Sequence, residues 1–118
     1  MTTIVTDQGF AADDWTGAFV TPECANDAPA LDLASDADIR ALSDMLHQFE
    51  MIRVDFPSSA DGRGFTLARL IRLAGFTGRL RARGHVLADQ YAMARRSGFD
   101  EVEIDAALAE RQPQEQWR

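Results

Sequence analysis

Apolar residues recur along this chain at two spacings, and the switches between them mark out the elements. Ile52, Val54 and Phe56 alternate with Arg53 and Asp55, the two-residue period of a half-buried strand. Leu80 and Ala82 alternate with Arg79, Arg81 and Arg83, and Val102 and Ile104 alternate with Glu101, Glu103 and Asp105. The short run Ala30–Leu33 is a further candidate strand. Between these runs the spacing widens to that of a helix. Ile39, Leu42, Leu46 and Phe49 form one such series; Leu67, Leu70, Ile71 and Ala74 a second; Leu87, Tyr91 and Ala94 a third. A last short helix is predicted over Ala106 to Arg111. Ser35 with Asp38 makes a capping-box-like start. Pro57 stops a strand, and Gly75 and Gly98 stand where left-handed C-caps belong.

Gly75-Phe76 and Gly98-Phe99, 23 residues apart, each close a helix ahead of a strand, and Phe49 before Met51 is a fainter third copy. One strand plus one helix fills that period, so the chain reads as repeated βα units with parallel strands. Strands of a doubly wound sheet are apolar on both sides, whereas these are apolar on one. The expected fold is therefore α/β, with about four parallel strands and helices mainly on one face, half-barrel-like. The charged second face needs a cover, from the N-terminal segment, a second chain or both. A twofold homodimer is the commonest solution. Residues 1–28 read as an irregular N-terminal segment, a short strand or hairpin plus linker. Residues 29–111 form the βα core and 112–118 a polar tail.

Composition narrows the function classes. At 118 residues the chain fits one small domain with a single core. No apolar run approaches the roughly 20 residues that span a membrane, and the start, Met-Thr-Thr-Ile-Val-Thr-Asp, lacks the basic flank of a signal peptide. The lone Cys24 excludes an internal disulfide and a cysteine-held metal within one chain. That suits a cytoplasmic location. A net charge of −7 argues against nucleic-acid binding. Every basic residue is arginine, which a GC-rich genome would produce, but which also excludes Schiff-base chemistry and a P-loop lysine.

Candidate chemistry gathers where strands end. Asp61-Gly62-Arg63-Gly64 follows one strand and opens a helix, a place where free backbone N–H groups favour an anion; an ordinary turn with a solvated arginine fits equally. Arg79, Arg81 and Arg83 face the acids at 101, 103 and 105 if their strands are neighbours. That is either a cross-strand ion-pair ladder or an arginine-lined pocket for an oxyanion, with Arg81 and Arg83 as ligands. His85 follows the third strand, with Asp89 and Gln90 one helical turn on. It is either an acid–base group or a local cap. Asp55 and Asp105 end strands and could meet a cation. The catalytic candidates are thus His85, Asp89 and Asp55. His47 lies on a helix and reads as structural. No spacing of His, Cys and carboxylates matches a metal site.

One set of motifs is more specific. Phe56-Pro-Ser-Ser-Ala-Asp-Gly-Arg-Gly-Phe-Thr-Leu-Ala-Arg-Leu, then Gly75-Phe-Thr-Gly-Arg-Leu-Arg-Ala, Gly84-His-Val-Leu-Ala-Asp-Gln and Ser97-Gly-Phe-Asp, with Asp13-Asp14-Trp15 ahead of them, resemble a bacterial family catalogued as domain of unknown function 934. The main resemblance covers about residues 45 to 104. Members are often labelled probable oxidoreductases of sulfite reduction, because their genes sit beside assimilatory sulfite reductase genes. The family pattern has an aspartate where this chain has His85, which shifts weight to Asp61, Arg63, Arg81, Asp89 and Gln90 as a shared surface. The resemblance implies an accessory factor of assimilatory sulfate or sulfite reduction. It would bind an oxyanion or anionic metabolite at its βα loops, or dock on a reductase of that pathway. The alternative is a small oxidoreductase or lyase of sulfur metabolism with a borrowed cofactor. The sequence has no flavin, nicotinamide, haem or cluster motif, so no cofactor is evident.

Overall fold

A computed structural model describes residues 2–15, 17, 19–21, 29–42, 45–57, 62–84, 86 and 88–112. Its elements in chain order are β1 (Thr2–Thr6), β2 (Gly9–Ala12), β3 (Phe19–Val20), β4 (Ala30–Leu33), α1 (Ile39–Leu42), β5 (Met51–Phe56), α2 (Arg63–Leu73), β6 (Arg79–Gly84), α3 (Tyr91–Ser97), β7 (Glu101–Asp105) and α4 (Ala106–Arg111). Short 3-10 turns cover Leu46–Gln48 and Ala88–Gln90. All seven strands share one sheet, in the order β2-β1-β7-β6-β5-β4-β3. From β3 to β7 every neighbouring pair is parallel. β1 runs antiparallel to both β2 and β7.

The alternating patterns become β4 to β7 at or within a residue of the predicted limits. The expected four-strand, half-barrel-like unit is extended into a wider mixed sheet. The difference lies in the N-terminal segment, read as a short strand or hairpin plus linker, whose hairpin joins the same sheet beside β7. Thr2-Thr-Ile-Val-Thr is rich in β-branched residues, which suit a strand. The Thr6 hydroxyl oxygen accepts from the Gln8 N–H at 3.1 Å and closes the turn into β2. Asp7, in that turn, accepts from the Tyr91 hydroxyl at 2.7 Å and pairs with Arg95, which fastens the hairpin to α3. These contacts hold the Asp7 carboxyl below its ordinary pKa, the tyrosine hydrogen bond most of all. Burial first, and then the negative carboxylate, push the Tyr91 hydroxyl up.

The core lies on the helix side of the sheet. Leu31, Leu33, Ile52, Val54, Leu80, Ala82, Val102 and Ile104 pack beneath Phe65, Leu67, Ala68 and Ile71 of α2 and Tyr91 and Ala94 of α3. Leu70 and Ala74, expected in the buried stripe of α2, face solvent instead. The helix turns toward Phe65, whose ring meets Phe56 at 5.0 Å between centroids. That choice selects the stripe Gly64, Leu67, Ala68 and Ile71, about 100° away from Leu70. The helix predicted over Ile39 to Phe49 is shorter, with α1 ending at Leu42 and a 3-10 turn at Leu46–Gln48. Leu87 lies outside the described residues, and α3 opens at Tyr91 and closes on left-handed Gly98.

The other side of the sheet carries Asp32, Arg53, Arg79, Arg81, Arg83, Glu101 and Glu103. The chain supplies a cover for it from the segment after β2. Phe19 lies under the Arg53 guanidinium at 3.7 Å, and Trp15 sits 5.7 Å from that of Arg79. Asp13 and Asp14 come down onto Arg81 and Arg79. No helix among the described residues is long and apolar enough to cross a membrane.

Candidate functional site

Strand register sets opposite charges beside one another. Asp32 pairs across with Arg53, Asp55 with Arg83, Arg81 with Glu101, and Arg83 with Glu103. The side chains follow the backbone. Arg53 holds Asp32 at 2.8 Å, Arg79 holds Glu101 at 2.8 Å, and Arg81 holds Glu101 at 2.6 Å and Glu103 at 2.9 Å. Asp13 adds a third carboxylate to Arg81 at 3.1 Å. Burial works against the charge on Arg81, but the Asp13 hydrogen bond and the Glu101 charge outweigh it and raise its pKa above the ordinary arginine value. Burial likewise works to raise the Asp13 carboxyl. The Trp15 backbone N–H and Arg81 overcome that and hold it below its ordinary value.

Arg81 was an expected anion ligand, and the structure places it inside the ion-pair ladder. It is 0% exposed, with three carboxylates on its guanidinium. An external anion would have to displace one of them. Of the two readings of the charged face, the ion-pair ladder describes Arg53, Arg79 and Arg81.

Arg83 is different. It stands one pleat further along β6, where the sheet ends. Its side chain is 47% exposed, and its partners are looser, Glu103 at 3.4 Å and Asp55 at 4.0 Å. Here the carboxyl ends of β5, β6 and β7 frame a cleft of about 340 Å³. Asp55, Phe56 and Pro57 line it from β5, Arg83 and Gly84 from β6, and Glu103, Ile104 and Asp105 from β7. Leu108 and Arg111 of α4 complete the wall. Asp105 starts that helix, accepting from the Leu108 N–H at 2.8 Å, and the three- and six-residue spacings carry Leu108 and Arg111 round to the cleft. The edge of a parallel sheet at its carboxyl ends is where α/β proteins place ligands.

Two glycines shape the packing of this corner. A Cβ on Gly64 would strike the Phe56 ring, so α2 can only approach β5 this closely with glycine there. Gly84 has φ of 110°, and a Cβ on it would lie 2.6 Å from the Phe56 carbonyl oxygen. Gly62 is the N-cap of α2, has no side-chain cap bond, and has open space beside it.

The cleft gathers only part of the predicted set. Asp55 and Arg83 line it. Arg63 stands exposed at the start of α2 on the same sheet edge, and Asp89 and Gln90 lie in the 3-10 turn after β6, outside the cleft lining. Asp61 and His85 lie outside the described residues. His47 is exposed on the turn before β5. Among the described residues no group of three or more His, Cys, Asp or Glu could hold a metal ion. Sequence reasoning missed Pro57, Leu108 and Arg111. The capping pattern of Asp105 ahead of a helix was the available signal, since it fixes which α4 positions face the strand ends.

A model for a family described as a bacterial protein of unknown function (DUF934) matches residues 30–118. The chain belongs to this family. No curated protein and no solved structure matches it. The DUF934 span opens at β4 and so contains the whole cleft and every ladder residue except Asp13 and Asp14. The β1–β2 hairpin and β3 precede it.

Proposed function

We propose that this DUF934 protein is an accessory factor of assimilatory sulfate or sulfite reduction that takes a small anionic metabolite into the strand-end cleft. The observation that carries the binding half is Arg83. Its half-exposed guanidinium opens onto a cleft whose other wall holds Arg111, while Arg53, Arg79 and Arg81 are drawn into ion pairs. A planar guanidinium grips an oxyanion through two parallel hydrogen bonds. Glu103 steadies Arg83 from beneath, and Arg53 and Arg81 already balance that carboxylate. Arg63 and the start of α2 supply further positive potential along the same edge. The pathway half rests on the motif resemblance, and a reductase of that pathway is the proposed partner.

The test is thermal stability with sulfite, sulfate and phosphate at low salt. At least one should raise the melting temperature, and Arg83→Ala and Arg111→Ala should each remove most of the rise. Added chloride should weaken it, since charges are screened over about 8–10 Å at moderate ionic strength. A rise that survives Arg83→Ala would refute the cleft as the anion site. Affinity capture from sulfate-grown cells should recover a sulfate- or sulfite-reducing enzyme. Turnover of a sulfur substrate by the purified chain alone would replace the accessory role with an enzymatic one.

A further inference from the structure

The cleft is not a simple anion trap, because acids stand in it beside the arginines. Asp55 is 44% exposed along its side chain and meets Arg83 only at 4.0 Å. Asp105 is exposed and uses Oδ1 to cap α4. Glu103 adds no free charge: it is 5% exposed and shared among Arg53, Arg81 and Arg83. The groups open to a ligand are thus two guanidinium groups, Arg83 and Arg111, and two carboxylates, Asp55 and Asp105. A bare anion would gain from the first pair and be repelled by the second. A ligand with a charge of each sign would satisfy both. The lining also includes Phe56, Pro57, Ile104 and Leu108, apolar groups suited to a few methylene groups.

We infer that the ligand of this cleft is a small zwitterion, with a carboxylate or sulfonate directed to Arg83 and Arg111 and an ammonium group directed to Asp55. The inference rests on the cleft being the binding site and adds the class of molecule it takes. An ammonium lying against Asp55 replaces a partner that Arg83 holds only loosely, which leaves the arginine free to turn its planar edge to the anionic end. The volume of about 340 Å³ accommodates a molecule of amino-acid size with water around it.

Matched probes separate the two charges. Taurine and ethanesulfonate differ in the amine, as do L-alanine and propionate, and ethylamine carries the amine alone. Amide chemical shifts of the isotope-labelled full chain, titrated at low salt, report both affinity and place. Taurine should bind roughly two- to five-fold more tightly than ethanesulfonate, as for a partly exposed ion pair added to an existing contact. Its shifts should centre on Gly84, Ile104 and Leu108. L-Alanine should exceed propionate in the same sense, and ethylamine alone should bind more weakly than taurine. Asp55→Asn should bring taurine down to the level of ethanesulfonate, while Arg83→Ala should weaken both. Equal or tighter binding of ethanesulfonate by the unaltered protein would overturn the zwitterion and leave the anion site standing. Cleft amides that respond to none of the probes would overturn both. A taurine preference that persists in Asp55→Asn would overturn the role given to Asp55, and the comparison in the unaltered protein decides the ligand class even if that variant does not fold.

Discussion

Arg81 has no exposed surface, and three carboxylates reach it, two from β7 and one from the N-terminal segment. Burying such a group is not in itself stabilising, since desolvation offsets most of the attraction, but removing one partner leaves the others uncompensated. Arg81→Ala should therefore cost about 3–5 kcal/mol in urea unfolding; a loss under about 1 kcal/mol, the range of an exposed pair, would show that water reaches the site. Two acids at this scale give a pH signature. Asp7 and Asp13 are both held below the ordinary 3.8 when folded. Their contribution is present above pH 3.8 and disappears as pH falls through their lower folded values. The double variant Asp7→Asn, Asp13→Asn should be less stable at neutral pH and lose stability less steeply below pH 3.8, measured by denaturant titration across that range. Parallel curves for the two proteins would place the acid sensitivity elsewhere.

Among the elements, α4 is the helix that lines the cleft. It has six residues, and the Asp105 carboxylate caps its first turn. A helix this short has little stability of its own, so its cap and the burial of Leu108 hold it in place. Asp105→Ala should lower global stability by about 1 kcal/mol, as for loss of an N-cap. It should also loosen Arg111 and weaken anion binding, although Asp105 is itself negative. Tighter anion binding in that variant would mean that charge at Asp105 outweighs its structural part. The longest helix, α2, shows how an element chooses its buried side. In α2, Phe65 and Gly64 turn toward Phe56, and Leu70 and Leu73 are left on the surface at 45% and 76% exposure.

At the scale of the molecule, the N-terminal hairpin does two jobs. β1 covers the edge of β7, and the segment after β2 carries Asp13, Asp14 and Trp15 across the charged side of the sheet. An exposed strand edge is a template for pairing with another chain. Deleting residues 2–15 should therefore give a protein that associates as concentration rises, seen by light scattering, with a lowered melting temperature. A truncated chain that stays monomeric and melts at the same temperature would show that the hairpin contributes neither cover nor stability.

The sequence by itself determined the strands of the βα core. Alternation at Ile52 to Phe56, Leu80 to Arg83 and Val102 to Ile104 is local, because a pleated strand shows every second residue to the same side. It also placed Asp55 and Arg83 at strand ends, where the cleft lies. Register was a tertiary matter. It paired Asp55 with Arg83 and Arg81 with Glu101 across neighbouring strands, burying one arginine and leaving the next half open. The sequence shows Arg81 and Arg83 as equals, two residues apart on one face. What separates them is the end of the sheet and the arrival of Asp13, 68 residues away along the chain. The hairpin partner of β7 and the approach of α4 to the cleft were decided the same way. They depend on which edge remained unpaired and on which side of a short helix found apolar surface, and neither is written in the spacing of nearby residues.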